Sequence, residues 1–293
     1  MTIKIEMLRC FRAVVDTGRL SDAAEVLGRT PSAVSMMLTQ FEDHIGAPLF
    51  ETTRKSRLTT LGVHIYHEAR RELDHFDHTL ATIEGLSRSD SGHVRIAATP
   101  SVAAVILPPI LQAFIAQRPN VRIELRDMSS ADVQRELQRE RVDIGLASLG
   151  PIAGLERRKL FSDPFGVVCR ADSRLARDWA QLTWADIEGE NFIANGLCDQ
   201  ITDPTFHPVL AASRLAVPNT ASLLAMVRGG TGITVLPRLA LPPDYTDLVF
   251  LPLMDTSLRR EVWLVTRSRQ SLTPAASAMV DAIWAANSAI SLD

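Results

Sequence analysis

The 293-residue sequence predicts a helical N-terminal part joined to an α/β part: a winged helix-turn-helix, a long linker helix and a two-lobed α/β domain. Three observations predict it. Residues 21–45 hold two short helical patterns split by a turn that contains glycine. Residues 60–87 repeat apolar residues at spacings of four and three, with no proline. Beyond residue 90, strand-like and helix-like segments alternate, the pattern of an α/β layout. The length suits two domains of roughly 100–200 residues each. The expected division is 1–59 for the winged helix-turn-helix, 60–90 for the linker helix and hinge, and 91–293 for the two lobes.

Ile5, Leu8, Phe11, Val14 and Val15 recur at helical spacing, and Gly18 ends that first helix. Ser21 is the expected cap of the second helix, with Ala23, Ala24 and Leu27 as its buried stripe. Gly28 closes it, because glycine enters the left-handed C′ conformation without a Cβ penalty. Thr30 caps the third helix, and Pro31 takes its first position, where a missing N–H costs nothing. Val34, Met37, Leu38, Phe41 and Ile45 form the buried stripe. Ser32, Ser35, Met36, Thr39 and Gln40 remain on the other side. Two helices joined by a short turn with glycine make a helix-turn-helix. Its second helix can enter a DNA major groove. The next segment, 51–59, carries Arg54, Lys55 and Arg57. Such a run alone reads more readily as a solvated loop. Beside a helix-turn-helix it suits a wing that grips phosphates without reading sequence.

Ala69, Leu73, Phe76, Leu80 and Ile83 give the linker helix the rhythm of a two-helix seam. One narrow seam cannot bury itself, so the expectation is a dimer through this helix, with two copies of the reading helix. His64, His67, His75 and His78 are read as its polar flank, since no further ligands accompany them. After a polar hinge, strands are expected near 94–98, 121–126 and 142–147, with helices near 106–115 and 130–140. A second group follows: strands at 166–169, 192–194 and 233–236, a helical turn at 184–187 and a helix at 222–228. A strand at 261–266 returns toward the first group, and a last helix covers 274–290. The expected sheet is largely parallel. Two lobes with strands crossing between them leave a cleft, the usual seat of a small ligand.

Charge and cysteine usage narrow the classes. The net charge is −3, and residues 1–58 hold 8 Lys and Arg against 7 Asp and Glu. Any DNA contact therefore comes from local placement of charge. Cys10, Cys169 and Cys198 are far apart, which argues for a reducing compartment and against a disulfide framework. No uninterrupted apolar leader and no run of 18 apolar residues is present, so a cytoplasmic protein without membrane attachment is expected. No nucleophile–base pair or metal-ligand cluster stands out, and no cofactor is expected. Gly229-Gly-Thr-Gly232 lacks the Lys-Ser/Thr of a phosphate loop and precedes a strand. An enzyme, or a solute-binding protein without a DNA role, is the alternative that these observations disfavour.

The sequence resembles the LysR-type transcriptional regulators. The resemblance is carried by Ala23-Ala24 and Leu27, Ser32-Ala-Val-Ser35, Phe41-Glu42, Gly46, Leu49-Phe50, Leu58-Thr59 and Gly62. In the lobes it is carried by Leu107-Pro108, Phe114, Arg118-Pro119, Val142-Asp-Ile144, Leu175-Ala176 and Gly230-Thr-Gly-Ile-Thr-Val-Leu-Pro237. It covers essentially the whole chain. It implies a periplasmic-binding-protein-like effector domain, dimers assembled into tetramers, and a small molecule in the cleft that changes how the assembly bends an operator. RNA polymerase is a further partner of such regulators. Pro31 departs from the pattern, standing where many members have Gln.

Candidate sites follow. Ser32, Ser35, Met36 and Thr39 are expected to face the groove beside Thr30 and Pro31, since hydroxyls serve as donor or acceptor and a Met can lie on a thymine methyl. Arg29, Arg54, Lys55 and Arg57 are expected at phosphates. The resemblance places the effector at Thr99, Pro100 and Ser101, at Met128 and Ser129, and at Asn195, Gly196 and Cys198. Thr99-Pro-Ser101 follows a strand and opens a helix, a place where free N–H groups suit an anion such as an organic acid. Ordinary capping by the same hydroxyls is the competing explanation.

Overall fold

The computed structural model describes residues 2–51, 57–86, 92–178 and 181–287. It forms two compact units, Met1–Ile83 and Glu84–Asp293.

The first unit is helical: α1 (Ile5–Thr17), α2 (Leu20–Val26), α3 (Pro31–Ile45) and most of α4 (Thr60–Leu86). Gly18 ends α1 in the left-handed region, and its N–H reaches Val14 O at 2.9 Å. The start of α2 differs from expectation. The helix opens at Leu20 after Arg19, and neither Arg19 nor Ser21 caps it; Ser21 Oγ instead donates to Asp22 Oδ1 at 2.7 Å. Leu20 packs against the helical core, so tertiary packing sets this start. The end is as expected. Gly28, at φ 61°, lets Arg29 N–H reach Ala24 O at 2.9 Å and its own N–H reach Glu25 O at 3.1 Å. Thr30 Oγ1 then accepts from Ala33 N at 3.3 Å, capping α3 with Pro31 behind it.

Phe11 is the centre of this unit. Its ring meets Phe41 at 5.7 Å, Phe50 at 5.6 Å and Tyr66 at 6.4 Å. The Glu42 carboxylate accepts from Leu49 N at 2.8 Å and holds the chain that leads into the wing. The wing stem is an antiparallel bridge between Phe50 and Leu58, with Glu51 N donating to Arg57 O at 2.9 Å. A Cβ at Gly62 would strike the backbone oxygen of Leu49, which explains a glycine at this close approach.

The seam of α4 is divided. Ile65, Tyr66 and Ala69 join the core of α1–α3, and Leu73 is buried as well. Arg12 reaches Asp74 at 3.4 Å and Arg9 reaches Asp77 at 3.1 Å, which pins the helix to α1. Only the later seam positions are open, with Leu80 39% and Ile83 58% exposed.

The second unit starts with β1 (Gly92–Ala98), a π-turn at Val102–Ile106 running into α5 (Leu107–Gln117), β2 (Val121–Asp127), α6 (Ser130–Gln138) and β3 (Ile144–Ala147). β1 pairs in parallel with β2 and β3. Then follow β4 (Glu156–Arg170), α7 (Arg174–Asp178), β5 (Ile193–Ala194), α8 (His207–Ala212), β6 (Leu215–Ala216), α9 (Thr220–Arg228), β7 (Thr234–Pro237), β8 (Leu248–Pro252), β9 (Arg259–Thr266) and α10 (Pro274–Ala286). β4 and β9 are the crossing strands. The first part of β4 pairs with β9, and its last residues pair with β7 and β8 in the other lobe.

All β4, β7, β8 and β9 pairings of the main sheet are antiparallel, which corrects the largely parallel sheet expected from the sequence. Parallel neighbours need a crossover connection, usually a helix; β1, β2 and β3 have them, and the crossing strands do not. The early part of β4 and all of β8 were not expected. Arg157 and Arg158 obscure β4, yet their guanidinium groups stack on Trp263 and Trp284 at 4.1 and 4.5 Å from the ring centres. Each lobe has its own core, one around Ile96, Leu107, Ile144 and Met279, the other around Trp184, Phe206 and Val235.

Where the strands cross, Asp163 on β4 stands opposite Arg260 on β9, and Arg260 Nη2 meets Asp163 Oδ2 at 2.6 Å. Both side chains are almost fully buried. Asp163 also accepts from Leu239 N at 3.2 Å. Burial pushes the Asp163 carboxyl up and the Arg260 guanidinium down, and in each case the partner's charge opposes that push. Arg260→Met is predicted to lower stability by about 3–5 kcal/mol, the cost of leaving a buried charge uncompensated. Adding Asp163→Asn should recover most of the loss, because the amide oxygen still accepts from Leu239. Urea unfolding of the full chain compares the two variants.

Candidate nucleic-acid interface and interlobe cavity

α3 presents two faces. Val34, Leu38 and Phe41 are at most 1% exposed and close the core. Ser32, Ser35, Met36 and Thr39, at i, i+3, i+4 and i+7, share the other face. Ser32 and Thr39 are exposed and Ser35 is half-buried. Met36 is 62% exposed, so it is not a core methionine. Thr39 Oγ1 donates to Ser35 O at 3.1 Å, which leaves its oxygen lone pairs outward. Thr30 Oγ1 caps the helix, and Pro31 is exposed at its start.

The cations around this face are not idle. Arg29 pairs with Glu6 at 3.3 Å, and Arg57 with Glu51 at 3.2 Å. Exposed pairs of this kind contribute about 0–1 kcal/mol, so a phosphate can displace the carboxylate. Arg54 and Lys55 lie outside the described residues.

Between the lobes of the second unit lies a cavity of about 810 Å³. The three parallel strands all end at it: Thr99 follows β1, Met128 follows β2 and Ser148 follows β3. Ligands of open α/β sheets gather at such carboxyl ends. The helix that opens at Pro100, α6 and α9 start at its wall. Ser129 caps α6 by accepting from Asp132 N at 3.2 Å, and Asn219 caps α9 by accepting from Ser222 N at 3.0 Å. Their dipoles favour an anion.

The decisive feature is a set of unmet polar atoms. Thr99 Oγ1, Ser101 Oγ, Ser148 Oγ and Arg260 Nε are buried without a hydrogen-bond partner, and all four residues line the cavity. Thr99, Ser101 and Arg260 are 4%, 6% and 3% exposed. A buried polar group left unpaired costs about 1–3 kcal/mol, so such groups call for a partner. Capping does not account for Thr99 and Ser101, since neither hydroxyl has a bond.

Other expected residues play different parts. Asn195 and Gly196 line the cavity, but the Asn195 side chain is engaged. Its Nδ2 donates to Thr234 Oγ1 and Val235 O, both at 3.0 Å, and its Oδ1 accepts from Leu197 N at 2.9 Å. It shapes the loop. Cys198 is a correction. It is 2% exposed, packs into the core of the second lobe and does not line the cavity. Sequence reasoning missed Ser148 and Arg260. Ser148 follows its strand as Thr99 follows β1, so the same rule finds it. Arg260 has no local signal, because only the strand crossing brings it there.

No helix among the described residues is long and apolar enough to cross a membrane, and no cluster of metal-ligand type occurs among them. The three cysteines are free and buried. Burial pushes the Cys10 thiol up to about 11 and raises those of Cys169 and Cys198. A thiol so shifted stays protonated at pH 8 and is a poor nucleophile. The native protein is therefore predicted to resist a disulfide-exchange reagent at pH 8, while the unfolded chain reacts at all three cysteines. Rapid labelling of Cys198 in the native state contradicts this.

Comparison with known proteins agrees with both halves of the structure. Residues 5–63 match the bacterial regulatory helix-turn-helix protein, lysR family, and residues 87–288 match the LysR substrate binding domain. The transcriptional activator protein LysR of Escherichia coli (strain K12) is 32% identical over 241 residues, covering 80% of this chain and 77% of that protein. The uncharacterized HTH-type transcriptional regulator YfeR of Shigella flexneri is 29% identical over 292 residues, covering 97% and 94%. In fold, the chain is similar to full-length CbnR solved with its target DNA, with a TM-score of 0.73 at 18% identity over 96% of this chain and 99% of that one. The chain thus belongs to the LysR family of DNA-binding transcriptional regulators with a C-terminal effector-binding domain.

Proposed function

We propose that this regulator reads its operator with the exposed face of α3 and senses a small acid in the interlobe cavity. The unmet donors of Thr99, Ser101, Ser148 and Arg260 carry the second half of this reading. Three of these side chains come from the first lobe, and Arg260 comes from a crossing strand. A carboxylate satisfies them together. Met128, Ser129 and Gly196 line the rest of the wall, and Asn195 holds the loop that carries Gly196. The chain performs no catalysis in this reading and works in the cytoplasm.

At the DNA end, Ser32, Ser35, Met36 and Thr39 meet base edges beside Thr30 and Pro31. Arg29, Arg54, Lys55 and Arg57 meet phosphates. A solved protein of similar fold was captured on its target DNA, which supports this use of the N-terminal unit. The functional division is 1–59 for the reader, 60–90 for the linker and 91–293 for the sensor. Leu80 and Ile83 stand open on α4 and, with half-buried Phe76, supply the dimer contact. Tetramers and a contact with RNA polymerase complete the scheme.

Two measurements test it. Ser35→Ala with Met36→Ala should weaken operator binding about 10–100-fold in gel shifts, at roughly 1–3 kcal/mol for a good base contact, while circular dichroism stays unchanged. Unchanged affinity sinks the assignment of α3. Leu80→Glu with Ile83→Glu should yield monomers in light scattering, and an intact dimer rules out the seam.

A further inference from the structure

The cavity has a second set of unmet groups, of opposite character. Asp127 and Asp199 line it, one at the end of β2 and one on the facing lobe. Both are exposed, and neither side chain has a hydrogen bond or ion pair with any described residue. The remaining acid of the wall, Asp132, is already engaged by Ser129 and Arg135. Arg260 is the cavity's one described cationic side chain, and Asp163 neutralises it. A purely anionic ligand would satisfy the four donors while facing two uncompensated carboxylates.

The register places the two sets side by side. Asp127 is the partner of Ala98, the residue just before Thr99, on neighbouring parallel strands. Neighbouring strands lie about 4.8 Å apart. The carboxylate at the end of β2 and the unmet hydroxyl after β1 therefore stand on adjoining parts of one cavity wall. A ligand that carries an anion and a cation together, as an α-amino acid does, meets both sets. The wall beyond is apolar, with Leu149, Leu197, Leu223 and Leu236, which leaves room for a side chain.

We propose that the effector is an α-amino acid: its carboxylate accepts from Thr99, Ser101 and Arg260, and its ammonium donates to Asp127 and Asp199. Because the two carboxylates belong to opposite lobes, the ammonium also draws the lobes together. The inference rests on the effector-cavity reading above and adds the cationic half of the ligand.

The test is calorimetry on the full chain with the common L-amino acids, each matched to the 2-hydroxy acid of the same side chain. The expected result is that at least one amino acid binds, and that its hydroxy acid binds at least tenfold more weakly. Asp127→Asn and Asp199→Asn should each weaken the amino acid tenfold or more while leaving the hydroxy acid unchanged or tighter. Ser101→Ala should weaken both. If hydroxy acids bind as well as amino acids and the Asn variants bind them no worse, the amino-acid inference falls while the acid-sensing cavity stands. If no ligand of either series binds the full chain, both fall. If an amino acid binds but Asp127→Asn and Asp199→Asn leave its affinity unchanged, the assignment of the ammonium to these carboxylates is overturned.

Discussion

The Asp163–Arg260 pair is the interaction on which the second unit depends. It joins the two strands that cross between the lobes, and Asp163 also fixes the turn at Leu239. A buried ion pair is often no more stabilising than a well-packed apolar pair, because desolvation offsets its attraction. Its value here lies in position. The same residue that locks the crossing lines the cavity and has a buried Nε without a partner. Under the proposed effector reading, one side chain belongs both to the strand crossing and to the ligand site, so a ligand that engages Arg260 acts on the group that sets the geometry of the crossing.

The first unit obeys a different constraint. In the proposed reading α3 shows polar and apolar groups to DNA without losing its place, and its outward face is held from behind. Phe11 packs on Phe41 and Phe50, Thr30 and Pro31 fix the helix start, and Gly28 gives the turn its left-handed step. Glu42 links α3 to the wing stem through Leu49. Base contacts need such support, since hydrogen bonds to base edges tolerate little displacement. The stem residues Phe50 and Leu58 and helix α3 therefore share one core.

Charge in the cavity is arranged by placement rather than by total. Helix starts and unmet hydroxyls favour an anion, while two free carboxylates disfavour one. The first set points to an acid and leaves the second without a partner. Their adjacency, fixed by the pairing of β1 with β2, is what makes the combination specific.

Much of this architecture was legible from local pattern. The helix-turn-helix rests on glycine, proline and a hydroxyl cap at fixed offsets, and those signals act within a few residues. That Thr99, Ser101, Met128 and Ser129 stand at the wall of a cavity followed from the family resemblance together with their place after the carboxyl ends of strands. The antiparallel crossing was not, because charged residues such as Arg157 and Arg158 mask β4 until Trp263 and Trp284 are brought beneath them. Nor was the split of the α4 seam, where Ala69 and Leu73 are buried within the chain. Cys198 was misplaced because its neighbours line the cavity while its own side chain turns into the core. Sequence by itself determined the N-terminal helices, most of the lobe strands and helices in their order, and the family, through short-range propensity, periodicity and motif. Tertiary structure alone decided which residues come together across long sequence separations: Asp163 pairs with Arg260, and Thr99 and Asp127 line one cavity. Burial and pairing of charges depend on the folded neighbours, not on the residues adjacent in the chain.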